Sequence, residues 1–512
     1  MPKCRDAVRS RQTGVGPKIR SAALPAVLAV AAAFAAPACS GFDDGGATAD
    51  AGGDGSDGSA PDVVAPPGCD PAVDPKDAPA CVVNEFAVFV APNGTPDAPG
   101  TKEAPVGTIV DALAKRGGKP RIYVCEGTYA ETIDLSSAVS VFGGFDCASW
   151  SHTGNKARFE AKNPGDFALR VASVSDPITL ADLELVAKPG DSTHLSIVAA
   201  FLRDSPNVSL RRLKLVAAEA ANGANAAPGV TGTPNPTNLD GNNPDAGLGA
   251  AGGAAKACTC SNGGSSKGGK GGSAGGLAPD GESGETAMAV VDPPTATGQG
   301  STSIECQSTA TPGRKGSNAP AADDAVPPSA PGEIVATGWK AADGLAGESG
   351  KPGQGGGGAG GNPAGGSPGG GGGGACGGCG GTGGGGGGGG GASIALLLLN
   401  SPVKLETSEL LSAKAGDGGD GAAGGQGAIG GSGGTRVGSC AGGDGGRGGN
   451  GGAGAGGSGG VSAGIVHKGD APVVDAATDA AITHGTAGEP GTGGAQGVND
   501  GKPGVAGKVL AF

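Results

Sequence analysis

Two stretches decide how this chain is read: Ile178-Thr-Leu-Ala-Asp-Leu-Glu-Leu185 and Val208-Ser-Leu-Arg-Arg-Leu-Lys-Leu215. Each places apolar residues at alternate positions, the period of a half-buried strand. Each follows a shorter apolar run and a proline turn. Ala168-Leu-Arg-Val171 and Asp176-Pro177 precede the first, and Ile197-Val-Ala-Ala-Phe-Leu202 and Ser205-Pro206 precede the second. The same plan returns at Ile394 to Leu399, Ser401-Pro402 and Val403 to Leu411. A fainter copy runs through Ala463-Gly-Ile-Val466, Ala471-Pro472 and Val473 to Ile482. Repeats that cannot bury their apolar faces alone must stack on their neighbours.

Upstream, Phe86-Ala-Val-Phe-Val90, Arg121-Ile-Tyr-Val-Cys125, Glu131-Thr-Ile-Asp-Leu135 and Val139-Ser-Val-Phe142 are short and β-rich. Thr108 is placed to N-cap a short helix reaching about Arg116. The run Phe89-Val-Ala-Pro-Asn-Gly94, then Gly100-Thr101, Pro105, Thr108-Ile109, Ala112-Leu113, Ile122-Tyr-Val, Gly127-Thr-Tyr-Ala-Glu131, and Val141-Phe-Gly-Gly-Phe145 with Trp150 resembles the N-terminal cap of pectin-lyase-like right-handed parallel β-helices. The resemblance covers about residues 82–220 and implies a fold. It implies no activity, because the fold hosts lyases, hydrolases, adhesins and inert scaffolds. The expectation is therefore an all-β solenoid with a short N-terminal capping helix.

Composition sets the rest. Glycine is 112 of 512 residues and aromatics are 3%. Glycine has no side chain to bury and loses the most backbone entropy on ordering. Residues 221–392 and 415–461 read as glycine-rich insertions, largely disordered or polyproline-II-like, and 485–512 as a glycine-rich tail ending in a strand at Val509 to Phe512. The coils between them are 68–220 (with the cap), 393–414 and 462–484. Each tract leaves after the second strand of a repeat, so all emerge from one face. Ala287 to Asp343 is less glycine-rich, with local structure expected around Ile334-Val335 and Trp339. In overall plan the chain resembles glycine-rich (PGRS-like) repeat surface lipoproteins of bacteria.

The first 38 residues read as an export signal: six basic residues, the apolar run Ser21 to Phe34, and Ala36-Pro37-Ala38 as cleavage site. Cys39 follows directly, as in a lipobox, although Ala36 and Pro37 depart from its usual residues. Lipidation at Cys39 implies a membrane anchor, with residues 39–67 as an acidic, glycine-containing tether. Simple secretion is the other reading. The expected location is the outer membrane or cell surface. Loss of residues 1–38, with six basic and one acidic residue, takes the net charge from −13 to about −18. That charge disfavours nucleic acid. Extracellular glycans or other surface proteins are the expected partners.

Ten further cysteines, an even number, fit disulfides in an oxidising compartment: Cys69, Cys81, Cys125, Cys147, Cys258, Cys260, Cys306, Cys376, Cys379 and Cys440. Cys69 and Cys81 bracket a proline-rich loop, and Cys125 and Cys147 lie about one coil apart. Zinc on Cys258, Cys260, Cys376 and Cys379 is the weaker reading, since no knuckle surrounds them. No cofactor is expected. Asp417, Asp420 and Asp444 lack the recurring frame of calcium-binding repeats. The histidines are scattered.

Aligning the repeats on their prolines stacks Glu184, Lys214 and Glu409 at one position and Asp182 and Arg212 at another. A stripe of surface charge is the expected meaning. Asp182, Arg212 and Lys214 are the residues to test as catalytic groups. The expected function is non-enzymatic: a structural, adhesive or matrix-contacting surface lipoprotein. The other reading is a polysaccharide lyase or glycoside hydrolase, which needs those groups in an open groove.

Overall fold

The computed structural model describes residues 63–275, 280–286, 297–362 and 369–512. The expected signal 1–38, Cys39 and most of the tether lie outside the described residues, as does part of the 287–343 island.

Three parallel sheets of seven, six and six strands organise the chain. The chain visits them in fixed rotation. One round runs Ile178–Ala181, Leu183–Val186, Ile197–Arg203, and the next Val208–Arg211, Lys214–Ala217, Ser393–Leu399. The register keeps like residues in line. Leu180, Leu210, Leu405 and Val474 are successive partners in the first sheet. Phe159, Leu185, Leu215, Leu410 and Ile482 do the same in the second. Leu202 and Leu398 pair in the third. These side chains fill one interior cluster. Each fully buried leucine contributes about 1.5–3 kcal/mol, which explains why the alternating pattern governs the fold.

The turns between sheets explain the rest of the repeat. Asp182, Arg212 and Thr407 follow aligned strands and have φ of 57°, 51° and 51°. This left-handed conformation bends the chain from the first sheet into the second, at about 1 kcal/mol or more per non-glycine residue. The corner from the third sheet back into the first uses Ser173, Asp204 and Asn400, with φ of 58°, 50° and 50°. The serines before the prolines form a buried chain. Ser205 N–H donates to Ser401 Oγ and Val174 N–H to Ser205 Oγ, both at 3.0 Å. Backbone donors at the turn are thereby satisfied without a strand partner.

The expected cap helix is present as Ile109–Ala114, with Thr108 accepting from Asp111 N–H. Residues 63–86 lie against the first sheet and pack Phe86 and Cys81. The hairpin Gly332–Val335/Gly338–Ala341 buries Ile334 on the outer face of the third sheet, beside Phe201 and Leu397. Trp339 meets Phe512 edge-on at 4.8 Å.

Of the two readings of the glycine-rich tracts 221–392, 415–461 and 485–512, disordered or polyproline-II-like, the first is corrected by the described residues, and the strand expected at the end of the tail is present as Ala506–Ala511 in the third sheet. Apart from a small antiparallel sheet (Pro234–Asn235, Lys256–Cys260, Ser265–Gly268, Glu285–Thr286), the helix Ser303–Thr309, the hairpin above and the terminal strand, the described residues of these tracts form an ordered bundle of extended rows joined by backbone hydrogen bonds at every third residue. Gly378, Gly381, Gly384 and Gly387 donate to Gly446, Gly449, Gly452 and Ala455 in a parallel pair of rows. Gly344, Gly347, Gly350 and Gly353 donate to Gly387, Gly384, Gly381 and Gly378 in an antiparallel pair. A repeat of three is the polyproline-II period. The row 440–462 bonds to six surrounding rows, through Gly378, Gly443→Gly357, Gly316→Asp444, Gly448→Ala428, Gly491→Gly457 and Gly456→Asn499. Over 452–462, where every residue is buried, its neighbours' backbone thus replaces water, while Asp444, Arg447 and Asn450 turn every third position of the first half outward.

Only glycine permits that spacing. A Cβ on Gly384 would collide with the carbonyl of Ala422, and one on Gly451 with that of Thr382. At about 3.1 Å per residue, rows of this length extend on the order of 70 Å. The margins carry different residues. Pro228, Pro320, Pro490 and Pro503 lie in the outer rows, where a residue without N–H leaves no donor facing water. Asn222, Asn225, Asn243 and Asn318 each accept the N–H of a neighbouring row through Oδ1, at 2.8–2.9 Å.

Candidate functional site

The candidate residues divide between two places. Asp182 and Arg212 occupy successive corners. Arg212 donates from Nε and Nη2 to the two carboxylate oxygens of Asp182, both at 2.8 Å. Nη2 also reaches Asp74 Oδ2 at 2.8 Å, and Arg211 Nη1 reaches Asp74 Oδ1 at 2.8 Å. His152 Nε2 lies 3.1 Å from Asp182 Oδ2. The side chains of Asp74 and Asp182 are only 8% and 6% exposed, so neither carboxylate faces an open groove. Burial pushes the Asp74 carboxyl up, but the bonds and charges of Arg212 and Arg211 outweigh it and hold it below its ordinary value. The bonds to Asp182 raise Arg212.

Lys214 stands apart, on the outer face of the second sheet. It lies 3.1 Å from Glu184 Oε1, which also accepts Arg158 Nη1 at 2.9 Å. Arg158, Glu184, Lys214 and Glu409 are successive partners across four strands. Burial raises Glu184, yet Lys214 and Arg158 bring its carboxyl below the usual range. The proline alignment therefore stacks these charges as the sequence pattern indicates, and the two groups of charges form two ion-paired clusters.

Asp74, Arg211 and His152 went unrecognised in the sequence. Asp74 lies in a loop outside the repeats and joins the corner from 138 positions away, so no spacing pointed to it. Glu131 is a further surprise. Its carboxylate accepts Ile109 N–H at 2.9 Å, and burial raises its pKa. It lines an open cleft of about 610 Å³ with Phe167 and Arg170.

All ten expected disulfide cysteines are paired: Cys69–Cys81, Cys125–Cys147, Cys258–Cys376, Cys260–Cys379 and Cys306–Cys440. The last three tie rows of the glycine bundle to distant segments. Among the described residues no group of three or more His, Cys, Asp or Glu side chains is placed to hold a metal. Asp417 and Asp420 Oδ1 accept Glu489 and Thr492 N–H at 2.9 and 2.8 Å, lacing bundle rows together. Among the same residues no helix is long and apolar enough to cross a membrane.

Compared with known proteins, the chain matches no family model, no curated protein and no solved structure. Its chemistry is read from its own geometry. The corner cluster can neutralise and fix charge where the loop carrying Asp74 crosses the first sheet. A catalytic acid, base or nucleophile needs access to substrate, which the Asp74 bridge occupies.

Proposed function

We propose that the protein is a non-enzymatic cell-surface scaffold with a structural, adhesive or matrix-contacting role, held to the membrane by lipid on Cys39. In this reading the three sheets are a right-handed parallel β-helix. The glycine bundle is a stiff projection whose surface the outer rows supply. The observation that carries the reading is the bundle. Its backbone groups are bonded to one another at every third residue, and its inner positions are mostly glycine, with a few small residues such as Ala375, Ala455 and Ser458 and the disulfide-bonded Cys376 and Cys379. Such a body transmits shape and distance and has few groups able to do chemistry. The closed Asp74–Arg212–Asp182 cluster supports the same reading over a polysaccharide lyase or hydrolase.

The test pairs two measurements on the chain and its Arg212→Ala and Cys39→Ala variants. Surface labelling of intact cells is expected to detect the protein, and Cys39→Ala to release it from membranes. A polysaccharide panel is expected to yield no new unsaturated or reducing ends. Products from any glycan, lost on Arg212→Ala, would make it an enzyme.

A further inference from the structure

The outer face of the second sheet carries a charge pattern that is its own complement. Along the stack the order is Arg158, Glu184, Lys214, Glu409, in register on four neighbouring strands. The signs alternate, plus, minus, plus, minus, at the strand spacing of about 4.8 Å. Uncharged Thr128 precedes the row in register and ends it on that side. The side chains of Arg158 and Lys214 are each 37% exposed, and Glu409 is exposed. Two residues further along each strand runs a second row, in which Glu160, Val186, Val216 and Leu411 are partners and the three aliphatic members are half-buried. Three aliphatic side chains therefore border the charges, with Glu160 at the end of their row and 2.8 Å from Arg158 Nε.

A row of four alternating charges reads in reverse as its own opposite. A two-fold axis parallel to the strands, lying between two facing sheets and over the midpoint of Glu184 and Lys214, sets Arg158 against Glu409 and Glu184 against Lys214 of a second copy. All four facing pairs are then of opposite sign. A two-fold interface requires this self-complementarity, and opposed charge patterns steer and register such contacts. The same operation sets Val186 of each copy against Val216 of the other and Leu411 against Glu160, so the two second rows lie face to face. Glu184 is held ionised by its neighbours.

We propose that the outer face of the second sheet is an interaction surface for a second copy of this chain, giving a two-fold dimer centred between Glu184 and Lys214. The proposal is independent of what the projection contacts and of how the chain is anchored.

The experiment is sedimentation of the purified full chain and of two single variants, Glu184→Lys and Lys214→Glu. The unaltered chain is expected to sediment as a dimer at low salt. The dimer weakens at least tenfold as salt rises from about 0.05 M to about 0.5 M, because the screening length falls from roughly 14 Å to roughly 4 Å. Each variant alone sets like charges against each other at the axis and is expected to be monomeric. Glu184→Lys carries plus, plus, plus, minus, and Lys214→Glu carries plus, minus, minus, minus. Those rows are complementary when opposed, so the mixed variants are expected to form a heterodimer, which also shows that both are folded. A monomeric unaltered chain, larger assemblies, a dimer indifferent to either substitution, or mixed variants that stay monomeric would each overturn the proposal.

Discussion

Replacing Gly384 by alanine tests the bundle directly, with the adjacent Gly385 as its control. The Gly384 Cβ would be driven into the carbonyl of Ala422. That carbonyl accepts Gly454 N–H at 2.9 Å, while Gly384 donates to Gly452 at 3.0 Å and accepts from Gly347 at 2.9 Å. Separating the rows sacrifices those three bonds, at about 1 kcal/mol each. Overpacking adds about 1–3 kcal/mol, and the alanine's smaller unfolded-state entropy returns about 0.4–1 kcal/mol. The net expectation is a loss of about 3–5 kcal/mol. At Gly385 the nearest atoms, Ala226 Cβ and Ala227 O, stand 3.1 Å from the new Cβ. They belong to an outer row that can yield, so Gly385→Ala is expected to change stability by less than about 1 kcal/mol. Denaturant unfolding gives the difference, and hydrogen exchange over 342–460 locates it. Equal effects at the two positions, or full exchange of these amides in the unaltered chain, would refute the reasoning.

Other predictions concern the ion pairs and the covalent ties. Asp182→Ala strips Arg212 and His152 of a buried partner and is expected to cost about 3–5 kcal/mol. Asp74→Asn costs less, because Arg212 keeps Asp182. The lowered pKa of Asp74 adds stability above its unfolded value near 4, which is lost as pH falls through the lower folded value. The difference between this variant and the unaltered chain should therefore close on acidification in thermal melts. Glu131 has the opposite sign. Its raised pKa favours the folded chain when protonated and costs stability as pH rises through the folded value. Glu131→Gln is thus expected to flatten that decline, read as melting temperature against pH. The double substitution Cys306→Ser/Cys440→Ser opens a link spanning 134 positions and is expected to cost about 5 kcal/mol on chain-entropy grounds. Exchange should rise first in the bundle.

Much of the strand framework could be read from residues, and the reason is physical. Leu180, Leu210 and Leu405 are apolar because they share one interior, and the prolines fix the phase of each repeat. Arg158 was absent from the alignment because it precedes the first proline-anchored repeat, yet it completes the charge row. The polyproline-II alternative was legible in the glycine tracts, but their packing into a bundle was not, for a different reason. Burial normally announces itself through apolar periodicity, and Gly378, Gly381 and Gly384 are buried by backbone contact with no side chain to mark the period. The surviving signal lies in the exceptions. Asn222 and Asn225 stand three apart, as do Asp417 and Asp420, because each outer row turns the same position to the margin. Asp74 had no such signature, since one loop residue meeting two corner arginines leaves no pattern along the chain.

The three-residue period also sets a reading frame for change in length. A glycine row that gains or loses three residues, in step with its turn, becomes longer or shorter with every inward position still inward. A change of one or two residues rotates all that follows by a third or two-thirds of a turn. It would carry Pro320 or Asn318 toward the interior and a bare glycine to the rim. Length in this projection is therefore a quantised trait, adjustable in units of about 9 Å and resistant to any smaller step.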